Sequence, residues 1–147
     1  MFALIITIIS IALVAALAIA SIYYGGTAFT SGSAQAQAST IVNQAQQISA
    51  GTTLYENDNG GSAPASITAL TPTYLQAIPT PPTSASGPYA LGTNATSITV
   101  GVTSTNVCLS IVQSVAPGVS AISGTATAGR QYDCFGTAAP YTFQYLQ

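Results

Sequence analysis

The first 24 residues form a long apolar stretch, MFALIITIISIALVAALAIASIYY, which constrains the fold more than any other feature of the chain. Only Thr7, Ser10 and Ser21 interrupt it before the two closing tyrosines. A helix that crosses the hydrocarbon core of a bilayer needs about 20 apolar residues at 1.5 Å of rise each. The pattern therefore predicts a hydrophobic helix over residues 1–24, buried in a membrane or among other helices.

Large apolar side chains recur along this helix, and alanines lie between them. Small residues let helices approach closely in an apolar medium, where van der Waals packing drives association. We expect the larger side chains to form the packed core when such helices associate. These residues are Phe2, Leu4, Ile5, Ile8, Ile9, Leu13 and Leu17.

The apolar stretch has no basic residue beside it. A secretory signal has a positively charged start and a shorter apolar run, and a membrane-anchored precursor carries basic residues on its cytoplasmic side. We expect that a basic leader has been removed and that Met1 is a processed N-terminus.

A second helical pattern follows a pair of glycines. Gly25 and Gly26 should loosen or break the first helix, since each glycine costs roughly 1 kcal/mol relative to alanine. Residues 31–50 are rich in Ala and Gln and contain no proline, and Gly51 is a reasonable stop. The spacing predicts an amphipathic, Gly-broken continuation over residues 25–51, with a solvated Gln face. Its apolar stripe consists of Ala34, Ala38, Ile41, Ala45 and Ile48.

The rest of the chain, residues 52–147, is predicted to form a small globular domain. Residues 52–88 hold an Asn/Asp/Gly turn cluster and six prolines, which favour a loop region. Alternation in the remainder, 89–147, indicates a small antiparallel sheet with a disulfide loop. Strands are predicted over 89–91, 97–103, 119–127 and 141–146, with a hairpin loop at 92–95 and a helix at 107–115 capped by Thr105 or Asn106. The predicted fold class is therefore α+β, a long hydrophobic N-terminal helix continuing into a small domain with an antiparallel sheet.

The chain has two cysteines, Cys108 and Cys134, 26 positions apart. A disulfide between them would close a loop worth about 3.5 kcal/mol in the chain-entropy model. The alternatives are a reactive thiol and a metal pair. The chain contains no histidine to activate a thiol, so a structural disulfide in an exported protein is favoured.

Charge is scarce, at 3% of the residues against about a quarter in a typical domain. A single Arg130 cannot supply the many phosphate contacts of nucleic-acid binding. Glu56 and Asp58 lie in a turn sequence, and Asp133 has Arg130 as a local partner. We therefore expect no catalytic site, no metal site, no cofactor and no enzymatic activity.

The order of these elements resembles type IV pilins. A long hydrophobic helix, an amphipathic continuation, a loop region, a small antiparallel sheet and a C-terminal disulfide loop cover the whole chain. Residues 107–112, VCLSIV, are also similar to the Cys-bearing helix of type IVb pilins.

The resemblance implies a homo-oligomeric helical filament on the cell surface, whose subunits wait in the inner membrane before assembly. It implies cleavage by a prepilin peptidase, N-methylation of Met1 and assembly by the pilus machinery. Adhesion, motility, DNA uptake and phage conduction are all compatible with it. Two alternatives stay open: a minor pilin or pseudopilin, and a surface binding domain on a single membrane helix that does not polymerise.

The chain departs from the family pattern at two positions. Pilins normally have a glutamate at the fifth residue, where this chain has Ile5, and often a proline near position 22, where it has Ile22. The subunit would then be registered by packing alone, or it is a minor or divergent member.

Overall fold

A computed structural model describes residues 2–147 and has the α+β fold that the sequence predicts. Met1, the predicted processed N-terminus, lies outside the described residues. The helices and strands, in chain order, are α1 (Phe2–Asp58), β1 (Ala85–Leu91), β2 (Ser97–Val102), α2 (Thr105–Val115), β3 (Tyr132–Phe135) and β4 (Tyr141–Leu146). Two short 3-10 turns, Ile67–Leu70 and Thr93–Ala95, lie before β1 and between β1 and β2.

The predicted helix break at Gly25 and Gly26 is wrong, because α1 continues through both residues. The propensity cost of a glycine is only about 1 kcal/mol, and both neighbouring sequences favour helix. Hydroxyl groups just after the glycines also bond within the helix. Thr27 donates to the Tyr24 carbonyl at 3.2 Å, and Thr30 donates to the Gly26 carbonyl at 3.1 Å.

The predicted stop at Gly51 is also wrong, since α1 ends two turns later at Asp58. Gly51 is buried, and a Cβ atom built on it would lie 3.0 Å from Cγ of Leu75. The glycine therefore provides room for a loop side chain to pack on the helix. The predicted loop region correspondingly begins later, after α1, and ends at the start of β1.

Residue contacts divide the chain into two units, with the boundary between Ser33 and Ala34. We call the second unit, Ala34–Gln147, the folded unit. Within the folded unit, the predicted apolar stripe of α1 is confirmed. Each of its five residues, Ala34, Ala38, Ile41, Ala45 and Ile48, is buried. They share one hydrophobic core with side chains of the sheet and of α2, such as Tyr89, Ile98, Val107, Ile111 and Phe143.

The sequence predicts a solvated Gln face on α1, and this is wrong for Gln37 and Gln44. The Gln44 side chain donates to the Thr80 carbonyl at 2.9 Å and accepts from the Tyr89 hydroxyl at 2.8 Å. The Gln37 side chain accepts a bond from the backbone N–H of Ser84 at 3.2 Å. These two amides hold the proline-rich segment, the part of the chain between α1 and β1, against the helix. Burial also raises the pKa of Tyr89 above its ordinary value.

The four strands form one antiparallel sheet in the order β1-β2-β4-β3. Residues at alternate positions of β2 and β4 face the core, so that Ile98 pairs with Tyr145 and Val100 pairs with Phe143. This register confirms the alternation predicted for both strands. The hairpin loop predicted at 92–95 contains the 3-10 turn Thr93–Ala95.

The edge strand β1 is irregular in the middle. Gly87 has a positive φ of 87°, and Pro88 has no N–H to donate. The pairing with β2 changes register between Ser86 and Ala90. The strand is therefore paired at both ends but not continuously.

The predicted helix after the hairpin is confirmed as α2, but its cap differs from the prediction. Ser104, not Thr105 or Asn106, is the N-cap, and its hydroxyl accepts from the N–H of Val107 at 3.5 Å. The predicted strand at 119–127 is wrong, and β3 forms at Tyr132–Phe135 instead. The earlier range holds mostly small residues with little to pack across a strand pair, whereas β3 supplies two aromatic rings and a cysteine.

The predicted disulfide between Cys108 and Cys134 is present and joins α2 to β3. Both residues are completely buried, and their Cα atoms lie 5.4 Å apart. The disulfide therefore crosses the hydrophobic core and fixes α2 to the edge of the sheet formed by β3.

Candidate functional site

The apolar segment, residues 2–24, is the main exposed apolar surface of the described chain. The predicted packing residues are all exposed, by fractions between 54% and 83%. A helix that is hydrophobic on every side is stable only when something surrounds it, either lipid or other helices. The residues concerned are Phe2, Leu4, Ile5, Ile8, Ile9, Leu13 and Leu17.

Further side chains of the apolar segment belong to the same surface, although the sequence analysis did not single them out. Their apolar character was visible in the sequence, but the prediction selected only part of a helix that is apolar all round. Because each of them is also exposed, the surface has no polar side along its length. These residues are Ile6, Ile11, Val14, Ile19 and Ile22.

Two hydroxyl groups in the middle of this surface bond to the backbone of the helix itself. Thr7 donates to the Leu4 carbonyl and Ser10 to the Ile6 carbonyl, both at 2.8 Å. Burying an unpaired hydroxyl in an apolar medium would cost several kcal/mol, and these bonds remove that cost. Thr7 and Ser10 can therefore enter lipid or a helix bundle with their hydroxyls already paired.

The length of the apolar segment matches a bilayer. Its 23 residues span about 34 Å at 1.5 Å per residue, slightly more than the hydrocarbon core of a membrane. Tyr23 and Tyr24 close it with their rings in edge-to-face contact, 5.6 Å between centroids. Aromatic residues of this kind favour the boundary between membrane and water. Among the described residues, α1 is the one helix long and apolar enough to cross a membrane.

A shallow apolar depression lies on one side of the segment. It is lined by Ser10, Ile11, Val14, Ala15 and Ala18 and has a volume of about 370 Å³. Alanines at this spacing leave room for the side chains of a second helix. The surface is thus shaped for close contact as well as apolar.

The charged side chains lie elsewhere, in the folded unit. The sequence placed Asp133 in a local pair with Arg130, and the structure adds that this carboxylate is almost completely buried. It accepts from the Arg130 guanidinium at 3.1 Å, from the N–H of Thr127 at 2.8 Å and from its neighbour Cys134 N–H at 2.9 Å. Asp133 therefore fastens the preceding loop to β3, a structural role.

The three acidic side chains of the chain are not brought together in one site. Glu56 and Asp58 lie in the last turn of α1, and Asp133 lies on β3. Over residues 2–147, no cluster of three or more His, Cys, Asp or Glu side chains could hold a metal ion. Both cysteines of this range are joined in the disulfide.

In comparisons with known proteins, no family model matches this chain, and no curated protein or solved structure matches it either. The arrangement itself, a long apolar N-terminal helix followed by an antiparallel sheet and a disulfide, is compatible with a pilin-like fold. A long apolar helix near the N-terminus is also a feature of membrane anchors and of signal sequences.

Proposed function

We propose that this chain is a structural subunit of an extracellular filament of the type IV pilus kind, assembled by the packing of its N-terminal helices. One observation carries the proposal. Of the 17 large hydrophobic side chains exposed in the described residues, 15 lie between Phe2 and Phe29. Soluble monomers rarely expose a continuous apolar surface of this size, and a surface of this kind favours association.

The proposed mechanism exchanges one apolar environment for another. The apolar segment would be held in the inner membrane until assembly, and would then leave lipid for a bundle of identical helices. Its backbone bonds are satisfied within each helix, so the transfer exposes no polar group. Close packing at the alanines would favour the bundle over lipid. A prepilin peptidase and the pilus assembly machinery are the partners that this route requires.

The absence of charge from the apolar segment determines how copies would find their register. Ile5 stands where pilins carry a glutamate, and the first acidic residue of the chain is Glu56. No ion pair within the segment can set the stagger between neighbours. Register would come from the fit of large side chains into depressions such as that beside Val14.

The folded unit would form the outside of the filament, and we propose no catalytic role for it. Its single buried carboxylate, Asp133, is saturated by backbone N–H groups and Arg130. The other two carboxylates lie together at the end of α1, away from any basic partner in the described chain.

A second candidate function is a surface domain held by a single membrane helix, without polymerisation. The length of the apolar segment favours it, since about 34 Å suits one span. The two functions differ in what surrounds the segment after export. Lipid surrounds it in the second case, and other copies of the chain surround it in the first.

Electron microscopy of sheared material separates the two. The full chain is produced in cells that carry a pilus assembly system, together with Ile9→Lys and, as a helical control, Gln46→Lys. A lysine in the middle of an apolar helix costs about 3 kcal/mol in lipid, and it would be unpaired in a bundle. We expect regular filaments from the wild type and from the control, and none from Ile9→Lys.

A wild-type chain that stays monomeric in the membrane fraction would contradict the filament and support the anchored domain. Mass spectrometry of the N-terminal peptide gives an independent check, because cleavage and methylation at Met1 are expected only of a processed pilin.

A further inference from the structure

A groove of about 480 Å³ opens on the folded unit, and its chemistry differs from that of the apolar segment. One wall is formed by α1, the other by α2, and the floor by side chains of α1 and β3. Its volume is within the range of small-molecule sites. None of the four charged residues of the chain lines it.

The α1 wall presents unused hydrogen-bonding groups. Gln35, Ser39 and Asn43 follow at intervals of four residues, which places them on one face of the helix. All three are exposed, and within the part of the chain that the structure describes their side chains make no hydrogen bond. Two amides and a hydroxyl therefore offer donors and acceptors to whatever enters.

The α2 wall is polar and held in place. The Ser110 hydroxyl donates to the Asn106 carbonyl at 2.8 Å, and the Gln113 amide donates to the Val119 carbonyl at 3.0 Å. The side-chain oxygen of each still has a lone pair available. This wall therefore presents hydrogen-bond acceptors opposite the two amides and the hydroxyl of α1.

The floor is apolar and includes an aromatic ring. Ala38 is buried, and Val42 and Tyr132 are partly buried. The ring of Tyr132 lies nearly parallel to that of Tyr145, with centroids 6.2 Å apart, and its hydroxyl lies 3.2 Å from Oγ of Ser114. The floor is thus fixed before any ligand binds.

We propose that this groove binds a neutral carbohydrate. Sugars present hydroxyls around their rim and C–H groups on their faces, which match amide and hydroxyl walls over a floor of aliphatic and aromatic carbon. Because the walls carry no charge, phosphorylated or sulfated ligands gain no ion pair there. The proposal does not depend on filament formation, since every contributing residue belongs to one folded unit.

Ligand-observed NMR on the full chain tests the proposal, with the chain dispersed in a zwitterionic detergent that has no sugar headgroup. The probes are cellotetraose, maltotetraose, chitotetraose and mannotetraose. We expect saturable binding of at least one, with Kd unchanged between about 50 and 500 mM NaCl because no ion pair is involved. Gln35→Ala and Asn43→Ala should each weaken that binding by about fivefold, the loss of one hydrogen bond.

Matched controls are Gln76→Ala and Asn57→Ala, which remove exposed amides outside the groove. They should leave Kd unchanged, and circular dichroism verifies that all four variants keep the fold. Absence of saturable binding to all four probes would overturn the proposal, as would equal Kd values in groove variants and controls. None of these results depends on whether filaments form.

Discussion

Residues 2–24 and residues 34–52 belong to one helix, yet the first range is exposed along its length and the second buries a complete stripe. Both ranges are free of charged residues and rich in alanine. They differ in the placement of polar side chains. Glutamine, serine and asparagine occupy the outer positions of the second range, while the first has apolar residues on every side. Periodicity, rather than hydrophobicity, decides which part of α1 packs within its own chain.

The same comparison separates two sources of stability. The folded unit has a core, a disulfide and side-chain bonds from Gln37 and Gln44, so its unfolding can be measured in a single chain. The apolar segment has hydroxyl bonds from Thr7 and Ser10 within its own helix, and its large hydrophobic side chains are exposed. Substitutions in the two parts should therefore change different measurements.

Removing the disulfide should have the largest effect and should affect only the folded unit. Replacing Cys108 and Cys134 together with alanine is expected to lower the free energy of unfolding by about 3.5 kcal/mol. Urea titration of the full chain in detergent, followed by near-UV circular dichroism, gives the change. If the apolar segment lost helicity in parallel, the separation of the two parts would be refuted.

Replacing an isoleucine by alanine should change the free energy of unfolding very differently in the two halves of α1. The difference should be nearly as large as the effect of removing the disulfide. Ile41 is completely buried, and Ile41→Ala is expected to lower the unfolding free energy by about 3 kcal/mol. Ile9 is exposed, and Ile9→Ala should leave that free energy unchanged. The same urea titration measures both variants. Equal losses would mean that residues near the N-terminus contribute to the core of the folded unit.

Alkaline pH should weaken the folded unit by a smaller amount. Burial raises the pKa of Tyr89, so the folded state holds a proton that the unfolded chain releases above about pH 10. Stability is complete below that pH and declines above it, by about 1 kcal/mol at pH 11. The Tyr89→Phe variant should lose most of this dependence, and Tyr74, whose pKa burial also raises, should keep the remainder. If its unfolding free energy declined just as steeply between pH 9 and 11, another group would be responsible.

The smallest expected effects come from two glycines of α1 and should have opposite signs. Gly25 has open space around it, so Gly25→Ala should stabilise the helix by about 1 kcal/mol. Gly51 is inside the same helix and would gain as much, but an added Cβ would lie 3.0 Å from Cγ of Leu75, so overpacking of about 2 kcal/mol should leave Gly51→Ala with a net loss of about 1 kcal/mol. Thermal unfolding by far-UV circular dichroism measures both, and a shift of the same sign in the two variants would contradict the difference in packing.

Features with a strong period could be predicted from the sequence. The buried stripe from Ala34 to Ile48 and the alternation in β2 and β4 follow directly from spacing. The disulfide followed from two cysteines and the absence of any histidine. These features are fixed by local pattern and by simple exclusion.

Features that depend on tertiary contacts could not be predicted in the same way. Local sequence predicts a helix stop at Gly51, but its role is to make room for Leu75, a residue 24 positions away. The local sequence predicts that Gln37 and Gln44 face solvent, because nothing near them shows that Thr80 and Ser84 come close enough to form hydrogen bonds. The groove combines residues of α1, α2 and β3, and no motif marks it in the sequence.

The irregular edge strand has a consequence for solubility in crowded surroundings. A chain with so few charged residues has little electrostatic repulsion to keep copies apart, and an open strand edge is a template for cross-β aggregation. Gly87 and Pro88 interrupt the row of donors and acceptors along β1, so an incoming strand cannot pair along its length. Copies brought to high local density can thus touch at β1 through side chains without adding a continuous strand to that edge.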